Sequence, residues 1–193
     1  MPEPPAPGVL VLSASPRPHS RPDWLGDHVT ALLTGTGCCT ARHRRVRDLP
    51  ARALLAADPD DPQVRAATAE VAGADGVVLV TPIYRAAYAG LLKVFLDVLP
   101  RYAFAGKAVL PLATGGSRAH TLALDYALRP VLQAMGSSHV ARGHFVHDSE
   151  LVRSGIHLVA APDTVAALGP VTVSFREALA GAAPHELAPA RST

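Results

Sequence analysis

Three short segments of this chain hold residue types that bind ligands rather than fill cores. Ser13-Ala-Ser-Pro-Arg-Pro-His-Ser20 sets hydroxyls, backbone N–H groups and a guanidinium where a helix is about to begin. These are the donors a phosphate monoester needs: the positive end of a helix attracts the anion, and Arg17 can meet it with two parallel hydrogen bonds. The segment is neither a P-loop nor a Gly-x-Gly-x-x-Gly turn, which argues against ATP and against a Rossmann dinucleotide grip. Thr81-Pro-Ile-Tyr84 gives proline-stiffened backbone beside an aromatic, where a flat heteroaromatic ring can lie with amides at its polar edge. Thr114-Gly-Gly-Ser117 adds a third set of amides, since glycine lets the backbone approach a ligand closely. Taken singly, each has an ordinary reading: a Ser/Pro turn capping a helix, an aromatic filling core or interface, a glycine turn.

The elements around these segments give them a common address. Residues 9–12, 76–80 and 107–112 are apolar runs of buried-strand character, and each leads into one of the three segments, the middle one read as a loop. Residues 40–46 predict a polar second strand and residues 139–146 a fifth. Helical spacing follows Pro22, with Trp24, Leu25, His28, Val29, Leu32 and Leu33 in phase. Further helices are predicted over 64–72, from 88 or 89 to 99 before Pro100, over 119–135, and over 164–180, the last weakened by Gly169-Pro170. This alternation implies right-handed crossovers and a three-layer α/β fold, with a five-stranded parallel sheet in the flavodoxin-like order 2-1-3-4-5. Such sheets bind ligands outside the carboxyl ends of their strands, beside the first. A phosphate grip, an aromatic-walled loop and a glycine loop at one sheet end describe a flavin mononucleotide site.

Bulk properties narrow the setting. The chain has 193 residues, 49% hydrophobic and 18% charged, which suits one domain; the expected layout is a lead over 1–8, a domain over 9–181 and a disordered tail over 182–193. A formal net charge of +2 with scattered arginines argues against a nucleic-acid partner. The one basic cluster, Arg42-His43-Arg44-Arg45-Val46-Arg47, reads as a solvated edge strand. Cys38 and Cys39 are adjacent, which offers no disulfide framework and no metal site and suits a reducing cytosol. No signal-type leader and no apolar run of about 20 residues is present, so a cytoplasmic protein without a membrane partner is expected.

Ser15-Pro-Arg, Thr81-Pro-Ile-Tyr84 with Gly90-Leu-Leu-Lys93, and residues 109–130 resemble the NADPH-dependent FMN reductases of two-component alkanesulfonate monooxygenase systems. The resemblance spans roughly residues 9–148. It implies FMN and NADPH (or NADH) as cofactors, a homodimer or homotetramer, and release of reduced FMN to a partner flavin-dependent monooxygenase. By that resemblance Ser15, Arg17 and Ser20 hold the phosphate, while Pro82, Ile83, Tyr84, Thr114, Gly115, Gly116 and Ser117 surround the ring. It also places Tyr126 at a π-helical bulge that packs at an oligomer interface. Helix chemistry points to the same residue. Pro130 has no N–H for the Tyr126 carbonyl and would clash with it, at roughly 3 kcal/mol in a regular helix, and either a π-bulge or a plain kink can absorb that.

Hydride transfer to a flavin needs stacked rings and excluded water, so no catalytic acid or base is assigned. The leading expectation is an NAD(P)H:FMN oxidoreductase that hands over free reduced flavin. Two alternatives stand beside it: a quinone, azo or nitro reductase that retains its FMN, and a flavodoxin-type electron carrier, which a net charge of +2 disfavours.

Overall fold

The computed structural model describes residues 6–35, 37–154 and 157–182. Three apolar runs form the centre of a parallel sheet: β1 (Gly8–Ser13), β3 (Gly76–Tyr84) and β5 (Ala108–Gly115). The polar strand β2 (Thr40–Arg45) flanks β1, giving the order β2-β1-β3-β5. Beside β5 the last strand position is shared by two short pieces, β6 (His139–Val140) and β7 (His144–His147). With β4 (Ala87–Tyr88) folded back antiparallel on β3, the sheet counts seven strands. The expected order is therefore present, and the expected five strands are elaborated by a hairpin and a split edge.

Strand periodicity assigns the helices to their layers. Leu10, Leu12, Val77, Leu79 and Val109 face one side, where α2 (Ala51–Leu55), α3 (Pro62–Ala72), α4 (Gly90–Val98) and α5 (Arg129–Ala134) bury Leu54, Val64, Phe95 and Leu132. Val9, Val11, Val78, Val80, Leu110 and Leu112 face the other side and meet Leu25, Val29 and Leu33 of α1 (Arg21–Thr34) and Phe175 of α6 (Pro162–Gly181). The basic cluster obeys the same alternation: Arg44 pairs with Glu70 on α3, while His43 and Arg45 reach Asp27 on α1 at 2.7 and 2.8 Å. It is an ion-paired edge strand.

Two prolines explain where the sheet departs from the expected boundaries. Thr81-Pro-Ile-Tyr84 is expected as a loop, yet β3 continues through it, with Pro82 opposite Thr114. The Val80 carbonyl accepts from Ala14 on the β1 side, so Pro82, two residues on, turns its missing donor to where β1 has already ended. On β5, the Val109 carbonyl accepts from Ala141 at 2.8 Å, so Pro111 also faces the last strand and has no N–H to give. The strand breaks there, between β6 and β7. Gly143 sits in the break, where a Cβ would lie 3.0 Å from the Leu124 side chain and 3.1 Å from the Pro111 carbonyl.

Other boundaries shift as well. Gly8 already pairs with Thr40, so the lead ends before it, and residues 1–5 and 183–193 lie outside the described residues. α2 and an antiparallel hairpin, β8 (Leu151–Ser154) with β9 (His157–Ala160), are not anticipated by the sequence reading. The last helix runs from Pro162 to Gly181 with Pro170 inside it. Among the described residues no helix is long and apolar enough to cross a membrane.

Candidate functional site

The carboxyl ends of β1, β3 and β5 open onto one cleft of about 180 Å³. Ser15, Arg17 and Ser20 line it from the β1 side, Pro82, Ile83 and Tyr84 from β3, and Thr114 and Gly115 from β5. Eight of the ten expected ring and phosphate residues thus share one wall system. Gly116 and Ser117 do not line it: Gly116 faces Asp148 at the rim, and the Ser117 carbonyl accepts from His120 in the 3-10 turn Arg118–Thr121. Arg21, Asp148 and Arg153 also line the cleft and are absent from the sequence reading.

At the β1 end the helix start holds an anion of its own. Ser20 caps α1 by accepting from the Asp23 N–H, and the Ser20 N–H donates back to Asp23 Oδ2 at 3.2 Å. Asp23 Oδ1 further accepts from the Ser13 hydroxyl at 2.9 Å, and Arg47 Nη1 reaches both carboxylate oxygens at 2.8 and 2.7 Å. Burial alone would raise the Asp23 carboxyl, but the hydrogen bonds from Arg47, Ser13 and Ser20 outweigh it and hold the group below the ordinary carboxylate range. The Ser-x-x-Asp spacing of a capping box was the one sequence signal for this cluster. The loop above it is tightly drawn: His19 is left-handed, with φ of 49°, and the Arg17 N–H bonds the Ser15 hydroxyl at 3.3 Å.

At the β3 and β5 end the backbone sets the geometry. Beyond Tyr84 the chain reverses through Arg85 and Ala86, with φ of 51° and 60°, into β4. Two positive φ values are what a tight hairpin requires, and here neither residue is glycine. The buried Thr81 hydroxyl accepts from the Ala89 N–H at 3.0 Å and donates to the Pro82 carbonyl, joining β3 to the start of α4. Gly115 has no room for a side chain: a Cβ would lie 3.2 Å from both His120 Nδ1 and the Phe145 ring. His120 therefore backs the glycine rather than lining the cleft.

Tyr126 stands elsewhere. Leu124–Leu128 is a π-helical turn in which the Arg129 N–H reaches the Leu124 carbonyl, and Tyr126 on it is 79% exposed. The turn lets α5 restart at Arg129, so Pro130 falls in a first helical turn, where its missing N–H matters least. Arg129 then bonds the Val140 and Ala141 carbonyls at 2.8 and 3.1 Å, tying the turn to the break in the edge strand.

Parallel order 2-1-3-then-outward, helices on both faces and a cleft at the strand ends beside β1 define a flavodoxin-like nucleotide-binding protein. Residues 7–150 match the NADPH-dependent FMN reductase family model, and the chain belongs to that family. It is 42% identical over 144 residues to the FMN reductase (NADPH) of Escherichia coli strain K12, covering 75% of each chain. The FMN reductase (NADPH) of Pseudomonas putida is 43% identical over 143 residues, covering 74% of this chain and 72% of the relative. Among solved structures, an apo NADH:FMN oxidoreductase superposes with a TM-score of 0.80 at 38% identity, covering 93% of this chain and 92% of that one.

The cleft's donor set fits FMN. The guanidiniums of Arg17 and Arg153, the Arg21 guanidinium paired with Asp148, and the Ser15 hydroxyl at one end suit a phosphate dianion, and strand-end backbone closed by Gly115 at the other suits a flat ring.

Proposed function

We propose that the protein oxidises NADPH or NADH, reduces FMN, and releases the reduced flavin to a flavin-dependent monooxygenase in the cytoplasm. The observation that carries this reading is the convergence of Ser15 and Arg17, Pro82 to Tyr84, and Thr114 and Gly115 on one cleft. When bound, FMN accepts the hydride of the reduced nicotinamide. Arg17 and Ser15 would hold its phosphate, and the backbone at the ends of β3 and β5 would lie beside its ring. Tyr84, 44% exposed and lining the cleft, would be available to the ring or to the nicotinamide. Rate then comes from holding two reactants in register, with no side chain required to move a proton.

The exposed Tyr126 and Leu122, four residues apart, present an apolar ridge that supports assembly into a homodimer or homotetramer.

A steady-state assay tests the reading: the purified protein is expected to be nearly colourless and to oxidise NADPH or NADH only when FMN is added. Absence of nicotinamide oxidation with FMN present would overturn it. A yellow protein with ping-pong kinetics toward a quinone would instead identify a reductase that retains its flavin.

A further inference from the structure

The start of α1 is poor in free donors for a phosphate. Among its first N–H groups, Pro22 has none, the Asp23 N–H is taken by the Ser20 hydroxyl, and the Ser20 N–H is taken by the Asp23 carboxylate. A resident negative charge, neutralised by Arg47, sits where helix dipole and amides would otherwise meet a ligand anion. Side chains are therefore needed to complete the grip on a phosphate.

The β8–β9 hairpin supplies one. It begins beyond the family-matched residues 7–150, and it brings Arg153 into the cleft beside Ser15, Arg17 and Arg21. Arg153 Nη2 donates to the His19 carbonyl at 3.2 Å, the residue whose left-handed backbone shapes the loop. Nearby, Arg21 Nε at the start of α1 donates to the Asp148 carbonyl at 3.1 Å, in the turn that leads into the hairpin. The hairpin is not loosely attached: Leu151 is fully buried, and the Ala161 N–H closes on the Glu150 carbonyl at 2.9 Å. A guanidinium has five N–H donors, and the His19 carbonyl uses only one of them.

We infer that Arg153 is a specificity-determining residue that binds the 5′-phosphate of the flavin and so selects FMN over riboflavin. This rests on the FMN reductase reading of the cleft. Arg153 adds donors beside a helix start whose Ser20 and Asp23 N–H groups are already engaged, and its rigid fork suits a phosphate better than the point charge of a lysine.

Fluorescence-quenching titrations with FMN and with riboflavin test this on the wild type, Arg153→Ala and Arg153→Lys. Thermal melts establish that each variant is folded, as expected for a surface-exposed side chain. FMN affinity is expected to fall about tenfold in Arg153→Ala, the size of one lost charge-assisted hydrogen bond, with riboflavin affinity unchanged and partial recovery in Arg153→Lys. An unchanged FMN-to-riboflavin preference in Arg153→Ala would overturn the inference while leaving the FMN reading intact. A wild type that binds neither flavin would overturn the FMN reading itself. NADPH and NADH are titrated in parallel, because a 2′-phosphate has the same chemistry. If Arg153→Ala weakens only NADPH, the residue serves the nicotinamide nucleotide and the assignment to flavin is wrong.

Discussion

The two ends of the cleft are built by different means. At the β1 end, position depends on charge: Asp23 with Arg47, Arg21 with Asp148, and Arg153 with His19 tie the loop and the start of α1 to distant parts of the chain. At the β3 and β5 end, position depends on backbone: Pro82 at a strand terminus, a hairpin with two left-handed residues, and Gly115 wedged against His120 and Phe145. The first kind of construction responds to pH and salt and discriminates ligands by charge. The second is indifferent to both and discriminates by shape.

The sharpest way to break this contrast is to remove its central charge. Asp23→Ala leaves Arg47, Ser13 and the Ser20 N–H without their shared partner in a buried setting, and is expected to cost about 3 kcal/mol or more in urea unfolding. Acid acts on the same group. The folded carboxyl titrates below its unfolded value, so its contribution is complete above about pH 4 and is lost as pH falls through the lower folded value. The wild type is therefore expected to lose stability in that window where Asp23→Asn does not. Parallel acid curves for the two proteins would place the charge elsewhere.

The next effect belongs to the other end. In Gly115→Ala the new methyl meets His120 and the Phe145 ring at 3.2 Å, and the cost of forcing them aside is about 1–3 kcal/mol. Because the clash is steric and brings in no charge, FMN and riboflavin affinities are expected to fall together, and added salt is not expected to change their ratio. A selective loss of FMN in this variant would erase the division of labour between the two ends.

The same division decides what could be read from the sequence. Strands 9–12, 76–80 and 107–112, and the three segments after them, are local patterns of apolar runs, prolines and glycines, and local patterns are legible. Asp23 with Arg47 is a pairing across 24 positions, and Arg153 with His19 one across 134, which no periodicity encodes. Arg47 was hidden inside a basic run whose other members pair with Glu70 and Asp27. The extension of β3 through Pro82 was missed because a proline normally ends a strand, and only the position of β1 shows why this one does not. The β8–β9 hairpin is short, and its strands carry little apolar alternation.

Smaller effects refine the backbone side. Ala86 pays for its left-handed conformation with roughly 1–2 kcal/mol, which glycine avoids, while glycine costs about 0.4–1 kcal/mol in extra chain freedom when unfolded. Ala86→Gly is therefore expected to raise stability by about 0.5 kcal/mol in thermal or urea unfolding. A loss of stability would mean that the hairpin is not strained in the folded protein.

Tyr126 gives the smallest expected change in stability. Its ring is 79% exposed, and the turn that carries it is held by the Arg129 N–H on the Leu124 carbonyl and by Arg129 on the edge strand, none of which involves the phenol. Tyr126→Ala is thus expected to leave unfolding of the isolated chain within about 0.5 kcal/mol of wild type. If the ridge of Leu122 and Tyr126 is a contact between copies, sedimentation velocity of the same variant will show smaller species at equal concentration, with flavin affinity per chain unchanged. An unaltered sedimentation profile would remove Tyr126 from assembly and leave the π-turn with one supported role, that of placing Pro130 where its missing N–H is tolerated.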